Sequence, residues 1–148
     1  MKRFIICIGN RFVPEDAAGP AVFDRLQEMH PLPAGIEVID GGMAGLNLLP
    51  LLEQGGRVVF VDAVDGFSGP GQIVVLDHQE ILRTLDGSHF DHSSGLAYVL
   101  TVLPQVYDGV LPEEIVLVGL EGACPRQMIE RAADLSIAIA GHGLKDLR

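Results

Sequence analysis

Chemistry needs polar side chains held where an apolar core stops, and this chain places several of them directly after apolar runs. Asn10, Glu15 and Asp16 follow the run 4–8, Asp40 follows 36–39, Asp62 and Asp65 follow 58–61, and Glu121 follows 115–120. Ligands of open α/β sheets bind beyond the carboxyl ends of the strands, so these residues share one edge if the runs are parallel strands. His89 and His92 open a later apolar segment, and a right-handed crossover projects them from that same edge. Carboxylates from two strand ends with one imidazole suit a divalent metal, with coordination positions left for substrate or water. A local account competes with this one. An Asp before a helix commonly caps it, and an Asp ending a strand commonly caps a turn, which covers Asp16 and Asp62 taken singly. Convergence on one edge favours the metal reading of Asp16, Asp62 and His92, although spacing alone names no metal, there being no compact His-Glu-x-x-His motif.

Other chemistries fit less well. Gly66-Phe67-Ser68-Gly69-Pro70 nearly spells a nucleophile elbow, but Pro70 replaces the last glycine and the segment leads into a strand, so Ser68 reads as a turn residue. Cys7 lies inside an apolar run, whereas a catalytic thiolate needs an exposed, electropositive setting. Ser93 and Ser94 read as first-turn helix residues. Gly9-Asn10 lacks the three-glycine dinucleotide fingerprint, and there is no Gly-Lys-Ser phosphate loop.

The elements that must position these groups alternate in type. Strands are expected at 4–8, 36–39, 58–61, 73–76 and 115–120, with the short run 73–76 antiparallel at an edge. Helical spacing covers 18–29 with Pro20 in its first turn, and 46–52 reads as helical but shortened or kinked by Pro50. Asp77 and Glu80 read as a capping box for a short helix through Leu85. Helices are also expected over 92–107 and 125–139, the latter with proline at its start and glycine beyond its end. This order predicts a three-layer α/β/α sandwich around a mostly parallel sheet of about five strands.

The 148 residues suffice for one continuous core, and a single domain over 1–148 is expected. A formal charge of −10 repels both nucleic-acid phosphates and anionic lipid, so neither nucleic acid nor membrane is an expected partner. The apolar runs are too short to span a bilayer, and the first ten residues lead into a turn, not a cleavage site. Two cysteines, Cys7 and Cys124, form no metal or disulfide pattern, which suits a reducing cytoplasm.

Four stretches together resemble one family, the hydrogenase maturation proteases that process nickel-iron hydrogenase large subunits. Ile8-Gly9-Asn10, then Glu15-Asp16 and Gly19, is similar to its opening signature of Gly-Asn, an acidic pair and a glycine. Asp40-Gly41-Gly42-Met43-Ala44-Gly45-Leu46 resembles its glycine-rich turn. Val59 to Asp62 with Ala63 resembles the strand ending in its second acidic ligand, and His92 with Leu96 resembles its histidine and helix start. Two departures stand out: Ala17 occupies a place where glycine is common, and Gly119-Leu120-Glu121-Gly122 lacks a proline often found near that strand end.

The resemblance implies an α/β/α sandwich, with Asp16, Asp62 and His92 as metal ligands; His89, three residues before His92, is the second candidate because either imidazole reaches the same edge. It implies an endopeptidase that removes the C-terminal extension of a hydrogenase large-subunit precursor. The cofactor it implies is nickel supplied by that precursor, other divalent metals being able to occupy the same donors. In this reading Asp16 and Asp62 are also the catalytic carboxylates, the metal polarising the scissile carbonyl while a carboxylate assists the attacking water. The rival reading is a non-catalytic, metal-dependent chaperone that holds a hydrogenase subunit by the same edge. A serine hydrolase built on Ser68 is a third.

Overall fold

The computed structural model of the chain describes residues 1–29, 31–43, 48–84 and 111–148. In chain order they form β1 (Arg3–Ile8), a 3-10 turn (Pro14–Asp16), α1 (Ala18–Glu28), β2 (Ile36–Gly42), α2 (Leu49–Leu52) and β3 (Arg57–Val64). There follow β4 (Ile73–Asp77), α3 (His78–Arg83), β5 (Glu114–Glu121) and α4 (Arg126–His142). The five strands lie in the order β2-β1-β3-β5-β4, all parallel except β4, which runs antiparallel to β5.

The central strands are apolar on both faces because both faces are covered. On one, Phe4, Ile6, Phe60 and Leu117 pack against Leu48, Leu52 and Ile81; on the other, Ile5, Val59, Val61 and Val118 meet Val22 and Leu26 of α1 and Met128, Ala132 and Ile139 of α4. This is the expected α/β/α sandwich with its antiparallel edge strand.

Local chemistry explains several boundaries. Asp77 Oδ1 accepts the Glu80 N–H at 2.8 Å while Glu80 Oε1 accepts the Asp77 N–H at 3.1 Å, so the capping box is present. The helix it starts ends at Arg83, and Leu85 lies outside the described residues. Pro50 sits in the first turn of a single-turn helix, where its missing N–H is tolerated, and so it starts α2 without kinking it. β3 runs on past Val61, because Asp62, Ala63 and Val64 pair with Gly119, Leu120 and Glu121; Asp62 is therefore inside the strand and does not close it. The expected helix over 92–107 lies outside the described residues. Arg57, at the amino end of β3, donates through Nε to Glu114 Oε1 at 2.7 Å and through Nη1 to the Ala140 carbonyl at 2.9 Å, pinning the end of α4. Among the described residues no helix is long and apolar enough to cross a membrane.

Candidate functional site

β1 lies between β2 and β3, so the chain leaves β1 in one direction for β2 and returns to its other side for β3. Such a reversal opens a crevice beyond the carboxyl ends of the two strands flanking it, here β1 and β3. Asp16 belongs to the connection leaving β1, and the 3-10 turn that carries it packs against β3. Asp62 lies on β3 one residue beyond Val61, which pairs with Cys7. The two predicted carboxylates therefore come from the connection that leaves β1 and from β3 itself, the two strands of the switch point.

The loop that holds Asp16 is tight for steric reasons. Gly9 has φ +144°, and a Cβ there would collide with the Asp16 carbonyl; a Cβ on Gly19 would collide with the Ile8 carbonyl. Both glycines thus let α1 start directly against the end of β1. Asp16 is 4% exposed. Its Oδ2 accepts the Asn10 N–H at 3.1 Å, its carbonyl accepts the same N–H at 3.0 Å, and its own N–H donates to the Val13 carbonyl at 2.9 Å. Asp16 does not cap α1. The cap position is Ala17, with φ −97° and ψ 0°, and it makes no side-chain capping bond. That backbone is open to any L-residue, which is why alanine is accommodated where the resembling family commonly has glycine.

Asp62 has no exposed surface. Its Oδ1 accepts the Ala63 N–H at 2.8 Å. It alternates along β3 with Phe60 and Val64, and so shares their face of the sheet. His92 and His89 lie outside the described residues. Among the described residues no group of three or more His, Cys, Asp or Glu side chains gathers as a metal site. Two buried carboxylates, one in the turn after β1 and one on β3, are the kind of oxygen donor that suits a divalent cation.

The remaining strand-end groups separate into two kinds. Glu15, Asp40 and Asp65 are exposed, and Asp40 folds back to accept the Gly42 N–H at 3.0 Å. Glu121 is 2% exposed, and its Oε1 accepts the backbone N–H groups of both Ser68 and Gly69. Its main chain adds two more bonds, accepting from Gly71 N at 2.8 Å and donating to the Gln72 carbonyl at 3.0 Å. Glu121 therefore clamps the loop 65–71 to the end of β5. This role was missed in the sequence, although an acidic residue closing a buried strand opposite a glycine-rich loop was the available signal. Gly122 follows with φ +74°, against Pro70, a conformation closed to a proline locked near −65°. Ser68 sits in this loop, which runs into β4 with no elbow onto a helix.

Burial pushes the Cys7 thiol far up, with Asp40 and Asp24 adding to the rise, and it also raises Cys124. Neither is a ready nucleophile. Burial lowers the His78 imidazole, against the opposing pull of Asp77. The exposed Arg11 guanidinium is raised, chiefly by its hydrogen bond to Asp24.

The chain and its fold have counterparts among known proteins. A family model described as hydrogenase maturation protease matches residues 20–140, which include Asp62 and His92 and begin just after Asp16. The Hydrogenase 2 maturation protease of Escherichia coli K12 is 29% identical over 121 residues, 81% of this chain and 73% of that protein. The hydrogenase expression/formation protein HupD of Rhodobacter capsulatus is 28% identical over 138 residues, 93% of this chain; the matched chain spans 63% of that relative's length. In three dimensions the hydrogenase maturating endopeptidase HybD from E. coli superposes with a TM-score of 0.81 at 28% identity, covering 97% of this chain and 94% of that one. With its family model running through most of the sheet and both long helices, the chain belongs to the hydrogenase maturation protease family.

Proposed function

We propose that this chain is an endopeptidase that removes the C-terminal extension of a nickel-loaded hydrogenase large-subunit precursor, acting as one domain in the cytoplasm. The observation that carries this reading is the burial of Asp16, in the turn after β1, and of Asp62, on the neighbouring β3, in a chain of this family. Asp16, Asp62 and His92 together would offer oxygen and nitrogen donors to the nickel that the precursor brings, so that a precursor without metal is passed over. Cleavage needs a water nucleophile, and in this reading an oxygen of Asp16 or Asp62 takes its proton. Binding and reaction then share one edge, which couples cleavage to complete metal insertion.

Mixing the purified chain with nickel-loaded precursor and weighing the products by mass spectrometry tests this. A truncated precursor and a free C-terminal peptide are expected. Asp16→Asn and His92→Gln should each stay folded and leave the precursor intact. Normal processing by both variants rejects the assignment, and an uncut stable complex with the unaltered chain points to the chaperone instead.

A further inference from the structure

At the carboxyl edge of the sheet the chain exposes two large apolar side chains, Phe12 at 88% and Met43 at 69%. They come from different connections, Phe12 from the loop after β1 and Met43 from the residue following β2. Asn10 ties them together. Its Oδ1 accepts the Phe12 N–H at 2.9 Å, and its Nδ2 lies 4.0 Å from Met43 Sδ. The backbone N–H of the same asparagine donates to Asp16 Oδ2 at 3.1 Å, so one residue holds both the apolar pair and the candidate ligand.

Single exposed apolar side chains are ordinary on protein surfaces. Two exposed apolar residues held to one asparagine at a proposed active edge, with charged residues in the same connections, have the makings of an interface: apolar anchors with polar neighbours. Among the described residues neither belongs to a core cluster. The rim is acidic. Arg11 pairs with Asp24 at 3.0 Å and reaches Asp40 at 3.9 Å, while Glu15 stands exposed on the 3-10 turn, so carboxylates outnumber the guanidinium. A second copy of this chain would bring the same acidic rim against itself, which electrostatics disfavours. An extended chain carrying an apolar side chain next to a basic one is complementary to both features.

We infer that Phe12 and Met43 are the docking point for the precursor polypeptide, taking an apolar side chain of an extended segment that carries a neighbouring basic residue. The inference rests on the endopeptidase reading, and it assigns these two residues to substrate affinity and none of the chemistry. An aromatic anchor fixed by its backbone loses little freedom on binding, which makes Phe12 the larger contributor.

The test uses the nickel-loaded precursor with Phe12→Ser, Met43→Ser and the double variant. Both side chains are largely exposed, so thermal melts should match the unaltered chain. In steady-state processing Phe12→Ser should raise KM by about tenfold with kcat within about twofold, and Phe12→Leu should restore most of the loss. An unchanged KM in the double variant overturns the inference, as does a double variant that turns a self-associated chain into monomers without moving KM. Should the unaltered chain cut nothing, the endopeptidase reading fails by itself. Calorimetric titration with the same precursor then decides the docking point: weakened binding by the double variant supports it, and equal binding overturns it.

Discussion

Asp62 offers a direct way to separate a structural carboxylate from a functional one. A fully buried carboxylate kept for stability should cost the fold heavily when neutralised, because its hydrogen bonds to charge are lost. One kept for a ligand should cost little, since burying the charge was itself unfavourable. Asp62→Asn preserves shape and an acceptor for the Ala63 N–H. The expected result is a urea midpoint equal to or above that of the unaltered chain, with precursor processing lost. A fall in unfolding free energy of more than about 2 kcal/mol would make Asp62 a structural residue. The cysteines carry a second expectation at this scale. With Cys7 buried and its thiol pushed far up, and Cys124 half-buried and also raised, iodoacetamide at neutral pH should modify the native protein slowly and both thiols rapidly in denaturant. Fast labelling of the native chain coupled to loss of processing would revive a thiol mechanism.

At the scale of elements, the loop 65–71 depends on one distant carboxylate. Its boundaries were readable from Gly66, Gly69, Pro70 and Gly71, which stop a strand whatever surrounds them. Its anchor was not, because Glu121 lies 53 residues from Ser68 and periodicity carries no information about such pairs. The same holds for Arg57 and Glu114, which are 57 apart. The capping box of α3 was readable for the opposite reason, its partners being three residues apart. Asp16 shows the limit of local rules: it precedes a helix as a cap would, yet its side chain turns back to Asn10 because Gly9 and Gly19 bring strand and helix together. Glu121→Ala removes the acceptor for two backbone N–H groups, so it should destabilise the protein by about 1–3 kcal/mol and speed proteolytic nicking within 65–71. Glu121→Gln keeps an acceptor oxygen and should lose less than half as much. Equal nicking of Glu121→Ala and the unaltered chain would show that the clamp does not hold the loop.

For the whole molecule, alternating strands and helices made the parallel sandwich legible, and the edge position and antiparallel sense of β4 with it. The strand order was less so: β5 enters between β3 and β4, a placement that depends on packing of both faces and on no local signal. That order sets β3, with Asp62, beside β1, whose outgoing connection carries Asp16, whereas the histidines expected to complete the site lie outside the described residues. Charge is the other global property, and it acts on folding and docking in opposite senses. A chain of net charge −10 repels itself, so screening should favour the compact state. Asp24 and Asp40, which pair with Arg11 beside Phe12, together with exposed Glu15 should attract a basic segment of the precursor, and screening should weaken that encounter. Raising sodium chloride from about 0.02 M to about 0.2 M shortens the screening length from roughly 20 Å to under about 10 Å. The melting temperature should therefore rise over that range while KM for the precursor also rises. If KM instead falls or stays level as stability increases, the acidic rim takes no part in recognition, and docking must rest on the apolar pair alone.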